Sequence, residues 1–141
     1  MKLLPRRDHI TLGKRGEALA VKLFRQRNCT ILARNWRYTT HHDGTGDLDI
    51  VLLDGAVLVF AEVKTRRKVD RYLPGANLSD LQKKRIRRGA LAYRRKFHIP
   101  ESIKSRFDLV EVICDNRKLI DIALHESYMH SQENLEKDPF L

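Results

Sequence analysis

The sequence predicts an α/β sandwich, a mixed central sheet with a helix on each face. Two segments carry a helical period, residues 12–28 and 79–98, and between them two apolar runs flank Asp54-Gly55, a dipeptide suited to a tight hairpin turn. After the second helix come two alternating runs, residues 106–114 and 118–124, joined by Asp115-Asn116-Arg117. An order of helix, hairpin, helix and strands sets the first helix against one face of the sheet and the second against the other. The 141 residues make a single domain, residues 1–124, with a polar tail from 125 to 141; that is long enough to bury a core without metal or disulfide staples.

In the first helix Leu12, Gly16, Leu19, Ala20, Leu23 and Phe24 recur at helical spacing, Thr11 is the expected N-cap, and Lys14, Lys22, Arg25 and Arg27 face water. Glu17 stands beside Gly16 at the border of the apolar face, where the residues alone read it as an ordinary surface charge. Cys29–Tyr38 forms a short strand with a bend near Asn35 and Trp36. A lone Trp in a small domain is a core or rim residue before it is a base platform, since such platforms present several aromatics. Thr39–Thr45 is polar and contains Gly, hence a loop, and its His41, His42 and Asp43 lack the fixed spacing of a metal site. Residues 65–80 form a basic loop punctuated by Pro74-Gly75. The second helix begins at Ser79 or Asp80 and ends near His98, ahead of Pro100, with Leu81, Ile86, Ala90, Tyr93 and Phe97 marking its apolar side. Asp108 and Glu111 fall on opposite faces of the next strand and read as structural or surface charges. Cys29 and Cys114 have neither CxxC spacing nor His partners, so reduced thiols and no zinc are expected.

The chemistry concentrates in Gly46–Arg66, GDLDIVLLDGAVLVFAEVKTR. With Leu53 opposite Ala56, Asp49 faces Phe60 and Asp47 faces Glu62, and Asp47, Asp49, Glu62 and Lys64 share one side of the hairpin. A three-residue turn would instead send Glu62 and Lys64 to the side opposite Asp49. Asp and Glu are poor strand residues, and an unpaired charge among Leu, Ile, Val and Phe is costly to bury. A hard divalent cation, Mg2+ or Mn2+, resolves that conflict, because clustered carboxylates hold it and lose their mutual repulsion. Ion pairing with Lys64 or neighbouring arginines at a sheet edge resolves it too, and spacing leaves both readings open. With a metal in place, Lys64 is positioned to orient a water nucleophile or to stabilise charge on a phosphate.

An acidic strand residue followed by a hairpin and Glu62-Val63-Lys64 resembles the core of the PD-(D/E)xK nuclease superfamily, which includes restriction enzymes and archaeal Holliday junction resolvases. The whole pattern is more closely similar to the YraN family of small bacterial predicted endonucleases. The matching pieces are Gly13-Lys14-Arg15-Gly16-Glu17-Ala18, Ala33-Arg34-Asn35-Trp36-Arg37, Gly46-Asp47-Leu48-Asp49-Ile50, Phe60-Ala61-Glu62-Val63-Lys64-Thr65-Arg66 and Arg106-Phe107-Asp108-Leu109-Val110, in order over residues 12–123. The resemblance implies a restriction-endonuclease-like three-layer sandwich. It also implies Mg2+ or Mn2+ held by Asp49, Glu62, Glu17 and the Val63 backbone carbonyl, with Lys64 beside the attacking water. Glu17 thereby turns from a surface charge into a fourth acid. The family usually carries Glu where this chain has Asp47, whose shorter reach makes Asp49 the stronger ligand. Superfamily relatives use a Gln or Lys near the start of the second helix to help position the site, which implicates Gln82, or Lys83 if the alignment slips by one. Resolvases cut as dimers, and a homodimer is expected by that analogy.

Lys and Arg number 28 against 18 Asp and Glu, a net charge of +10 that favours a polyanionic partner. Nucleic acid stands first, with a membrane surface or a ribosomal neighbourhood behind it. Lys64–Arg95 alone carries twelve Lys or Arg against two Asp, and Arg66, Arg67, Lys68, Lys83, Lys84, Arg87 and Arg88 are the candidate phosphate contacts. A solvated helix face is the bland alternative, and a basic amphipathic helix also suits anionic lipid; the neighbouring acidic pocket favours nucleic acid, and the resemblance favours DNA. No apolar run approaches a membrane span and MKLLPRRDHI is too poor in apolar residues for a secretory signal, so a cytoplasmic protein is expected. Internal repeats, a Gly-rich phosphate loop and a Ser-His-Asp arrangement are all missing from the sequence. Two functions remain: a metal-dependent endonuclease acting on DNA, branched or structured DNA by the resemblance alone, and a nucleic-acid-binding protein that keeps the fold without cutting.

Overall fold

Five strands follow one another across a single sheet in the order of the chain, β1-β2-β3-β4-β5, with β3 and β4 parallel and all other neighbours antiparallel. The computed structural model describes residues 7–40, 44–70 and 78–129. Its elements are α1 (Arg7–Gln26), β1 (Thr30–Thr40), β2 (Gly44–Asp54), β3 (Val57–Arg67), a single 3-10 turn at Lys68–Asp70, α2 (Asp80–Lys96), β4 (Ser105–Asp115) and β5 (Lys118–Met129). Parallel neighbours cannot be joined by a tight turn, and α2 lies in the crossover from β3 to β4.

The helices cover opposite faces. α1 buries Ala20, Val21 and Phe24 against Ile50, Leu52, Val59, Ala61, Val110 and Val112. α2 buries Ile86, Ala90 and Tyr93 against Leu48, Val51, Leu58, Phe60, Phe107 and Leu109. With both faces of the central strands covered, β2 and β3 read as near-continuous apolar runs, so any charge in them stands out. The protein is thus an α/β fold with a five-stranded mixed sheet and two flanking helices.

Both helices stop at a left-handed residue, which lets the last carbonyls be satisfied. After α1, Asn28 has φ 63° and the Cys29 N–H donates to the Phe24 carbonyl at 3.0 Å; after α2, His98 has φ 49° and the Ile99 N–H reaches the Arg94 carbonyl at 2.9 Å. α1 begins at Arg7, so Thr11 lies within the helix rather than capping it: no Pro or Gly stands between Arg7 and Leu12 to stop the helix earlier. α2 seats its middle on the sheet and its ends run past it, which leaves Leu81 and Phe97, expected on the apolar side, 56% and 52% exposed.

Turn chemistry moves the hairpins by small steps. Leu53 pairs with Leu58 and Asp54 with Val57, so the β2–β3 turn is Gly55-Ala56, where Gly55 supplies a φ of 58°, and Leu53 does not face Ala56. At the β4–β5 turn Asn116 and Arg117 both adopt positive φ, 45° and 66°, between the paired Asp115 and Lys118. β5 then continues through His125–Met129, residues that sequence reading gave to a tail, and Met129 packs into the core under α2. One ion-pair cluster ties these strands. Asp108, 2% exposed, takes Arg106 Nε at 2.9 Å and Arg106 Nη2 at 3.0 Å, accepts the Ser127 N–H at 3.0 Å, and shares Arg106 with Asp54. Removing one partner of such a buried pair costs about 3–5 kcal/mol. His41, His42, Asp43, the Pro74-Gly75 turn and residues 130–141 lie outside the described residues. Among the described residues, no helix is long and apolar enough to cross a membrane.

Candidate functional site

β2 and β3 pair from Asp54↔Val57 to Ile50↔Ala61 and then part, β2 continuing beside β1 and β3 beside β4. Asp49 and Glu62 are the next residues on either side of the gap. The Val63 N–H donates to Asp49 Oδ2 at 2.9 Å, a side chain standing where a ladder carbonyl would otherwise accept. The two carboxyl groups also hydrogen-bond to each other.

The pleat breaks beside Asp49. On β2 both Leu48 and Val51 pack under α2, three residues apart, although strict alternation places only residues two or four apart on one face. On β1 Ala33 and Trp36 pack against the same core, again three apart. The ladder holds register across the break, Arg34↔Ile50 on one side and Trp36↔Leu48 on the other, and between them Asn35 has a left-handed φ of 50°. Ile50 packs on the α1 side, and Asn35 Nδ2 donates to Glu17 Oε2 of α1 at 3.3 Å. Asp47 lies between Gly46 and Leu48, both of which closely approach Gly89 of α2, so its side chain points away from α2. Ala61 and Val63 both pack on the α1 side, which turns Glu62 the other way, so Asp47 does not share its face; Asp49 meets Glu62 across the strand gap.

The electrostatics follow from crowding and burial. Burial raises the Glu62 pKa to about 9, with the Asp49 charge and the hydrogen bond to Asp49 next in weight and Asp47 and Glu17 adding to it. Burial also raises Asp49, opposed by the Val63 N–H. Both carboxyls are therefore pushed toward the protonated form, and one proton shared between them relieves their repulsion. Lys64 is pulled down, first by burial and then by Arg66, while Glu62 and Glu111 act the other way. Arg37 Nε lies 3.2 Å from Asp47 Oδ1 but misaligned, and that buried oxygen has no hydrogen-bond partner.

The donor set is oxygen only, which suits a hard divalent cation. Asp49 and Glu62 are the pair that would hold it, with the Val63 main chain alongside and Glu17 and Asp47 as outlying acids. Among the described residues, no three His, Cys, Asp or Glu groups are already close enough to share one ion.

The other expected site residues are placed differently from one another. Gln82 closes a capping box at the start of α2: its Oε1 accepts the Ser79 N–H at 2.9 Å and its own N–H reaches Ser79 Oγ at 3.2 Å. Arg66 is 7% exposed and lies 3.2 Å from Glu111, which also takes His125 Nε2 at 2.6 Å, so Arg66 is not presented to solvent. Arg67 is exposed and pairs with Asp70 at 2.6 Å, and Lys68 and Lys84 are exposed. Lys83 lies 5.7 Å from the ring centre of Tyr128. Arg87 and Arg88 are half-buried, each with a buried Nε that has no hydrogen-bond partner. Trp36 packs edge-on against Tyr93, 5.4 Å between rings, as a rim residue of the core.

Sequence reading missed a groove of about 390 Å³ between α1 and β1, lined by Ala18, Val21, Lys22, Arg25, Gln26 and Arg34. Ala18 follows Glu17 and Arg34 precedes Asn35, so the groove is lined by the chain neighbours of the Glu17–Asn35 contact. Lys22 and Arg25 are spaced to share a helix face, but only the fold brings Arg34 to them.

Likeness to other proteins agrees with the motifs. The chain is 36% identical to a UPF0102 protein of Koribacter versatilis (strain Ellin345) over 126 residues, 89% of this chain and 85% of the relative. It is 39% identical to a UPF0102 protein of Solibacter usitatus (strain Ellin6076), covering 72% and 74% of the two chains, and 37% identical to one from Streptomyces griseus, covering 75% and 85%. The family model described as "Uncharacterised protein family UPF0102" matches residues 16–112, a stretch that runs from the glycine beside Glu17 to Val112 of β4 and so takes in both strands of the acidic gap. On that match and these relatives, the chain belongs to the UPF0102 family, the YraN family of its sequence motifs.

Proposed function

We propose that the chain is a metal-dependent endonuclease hydrolysing phosphodiester bonds in DNA, with a restriction-endonuclease-like fold of the PD-(D/E)xK superfamily. The observation that carries this reading is the buried Asp49–Glu62 pair in the gap between β2 and β3, two residues ahead of Lys64. Folding alone gains nothing from two acids forced to share a proton among apolar strands. Asp49 and Glu62 would hold Mg2+ or Mn2+, with help from Glu17 and the Val63 carbonyl. Such an ion, when bound, polarises a phosphate oxygen and lowers the pKa of water. Lys64, its ammonium weakened by burial, is suited to orient that water or to stabilise charge on the phosphate. Arg67, Lys68, Lys84 and the groove cations Lys22, Arg25 and Arg34 would contact backbone phosphates. Branched DNA as substrate and a homodimer as the acting species rest on the likeness to junction resolvases.

A second reading is a nucleic-acid-binding protein that does not cut. What favours it is that, among the described residues, no third ligand group stands with the pair. Labelled linear, flapped and four-way DNA, and RNA, incubated with Mg2+ or Mn2+, separate the two. The expected outcome is metal-dependent cleavage of DNA by the native protein, reduced about 100-fold or more in Glu62→Gln and in Lys64→Ala. Binding without cleavage of any substrate would select the second reading.

A further inference from the structure

Asn35 combines two features that no other described residue shares. It has φ 50° inside a strand, whereas Asn28, His98, Asn116 and Arg117 take positive φ at helix ends or a hairpin turn. The remaining non-glycine strand residue with positive φ, Ser127, donates its backbone N–H to the structural Asp108. Asn35 instead stands across the ladder from Asp49, between the pairs Arg34↔Ile50 and Trp36↔Leu48, and its side-chain amide reaches Glu17 on another element. Left-handed backbone costs an ordinary L-residue about 1 kcal/mol or more and costs Asn and Gly less. A strand that spends this at its middle changes which side the following residues face. Both strands do change face here, Leu48 and Val51 of β2 and Ala33 and Trp36 of β1 all packing under α2, and the change falls at the level of Asp49 and Asn35, within reach of the Glu17 charge.

We propose that Asn35 is a positioning residue for the acidic centre. Its backbone matches the change of face beside Asp49, and its amide fixes the Glu17 carboxylate by one oxygen, leaving the other for a divalent cation. Groups hydrogen-bonded to a metal's ligands typically set affinity by about 10–100-fold. The inference deepens the metal-dependent reading above and rests on it.

The test is Mn2+ binding by calorimetry, with melting followed by circular dichroism, on the native protein and on Asn35→Gly, Asn35→Ala, Glu17→Ala and Glu17→Ala/Asn35→Gly. Asn35→Gly keeps the backbone freedom and removes the amide. It is expected to weaken Mn2+ binding about tenfold while melting close to the native protein. Asn35→Ala is expected to lose both affinity and melting temperature. The double variant is expected to bind no more weakly than Glu17→Ala alone, because the amide acts through Glu17. Native affinity in Asn35→Gly, or a fully additive loss in the double variant, would overturn the role given to Asn35 while leaving the metal reading intact. A native protein that binds neither Mn2+ nor Mg2+ would instead sink the metal reading, and this inference with it.

Discussion

In EDTA the proton shared by Asp49 and Glu62 ties stability to pH. The folded Glu62 carboxyl titrates near 9 against an ordinary 4.5, so its share of stability is complete below pH 4.5 and drains away as pH rises through 9. Glu62→Gln keeps the hydrogen bond and cannot ionise. Its melting temperature is expected to match the native protein near pH 4.5 and to exceed it by about 5 °C or more at pH 9. A native protein whose melting temperature is flat over that range would show that the pair is not buried together. At this scale Asp49, Glu62 and Lys64 were legible from the sequence, because charges in apolar strands are conspicuous. Asp47 was grouped with them by strict alternation, which fails at the Asn35–Asp49 pair. Asn35 read only as a bend, since one Asn does not tell whether its backbone turns left-handed within a strand or beside one. Gln82 had a visible local explanation, the Ser79-to-Gln82 spacing of a capping box, alongside the one drawn from resemblance.

Elements meet at contacts that only glycine permits. A Cβ on Gly46 would lie 2.5 Å from the Gly89 backbone nitrogen, and one on Gly89 would lie 2.9 Å from Leu48 Cγ. At Gly46 the obstacle is backbone and cannot rotate away. Gly46→Ala is therefore expected to destabilise by about 2–3 kcal/mol. Gly13, inside α1 with nothing within 4 Å of its Cβ position, is the opposite case. Gly13→Ala is expected to stabilise by about 0.5–1 kcal/mol through helix propensity alone. Urea melts of the two variants against the native chain check both signs. The helices and central hairpin were legible because their periods are strong. The end of β5 was not: as an edge strand with much of its surface in water, His125–Ser127 carries polar residues that look like a tail.

Across the whole molecule, cations are spread over both layers rather than confined to α2. The sequence concentrates attention on Lys64–Arg95, where density is highest, while the α1–β1 groove draws Lys22, Arg25 and Arg34 from separate segments. Among the described residues none of these three pairs with a carboxylate, which distinguishes them from Arg66 and Arg67. Lys22→Glu/Arg25→Glu/Arg34→Glu is expected to weaken DNA binding in Ca2+ and to lower the slope of log affinity against log salt by about 2–3, one unit per phosphate lost. An unchanged slope would place the nucleic acid elsewhere.

The interruption between β2 and β3 divides the sheet into a two-stranded leaf and a three-stranded leaf, hinged only along Asp54–Ile50. Asp49 belongs to the first leaf and Glu62 to the second, so an ion seized by both would act as a clasp across the seam. Loading with Mn2+ should slow amide hydrogen exchange at Val63, whose N–H bridges the leaves, far more than at Val110 in the middle of the larger one.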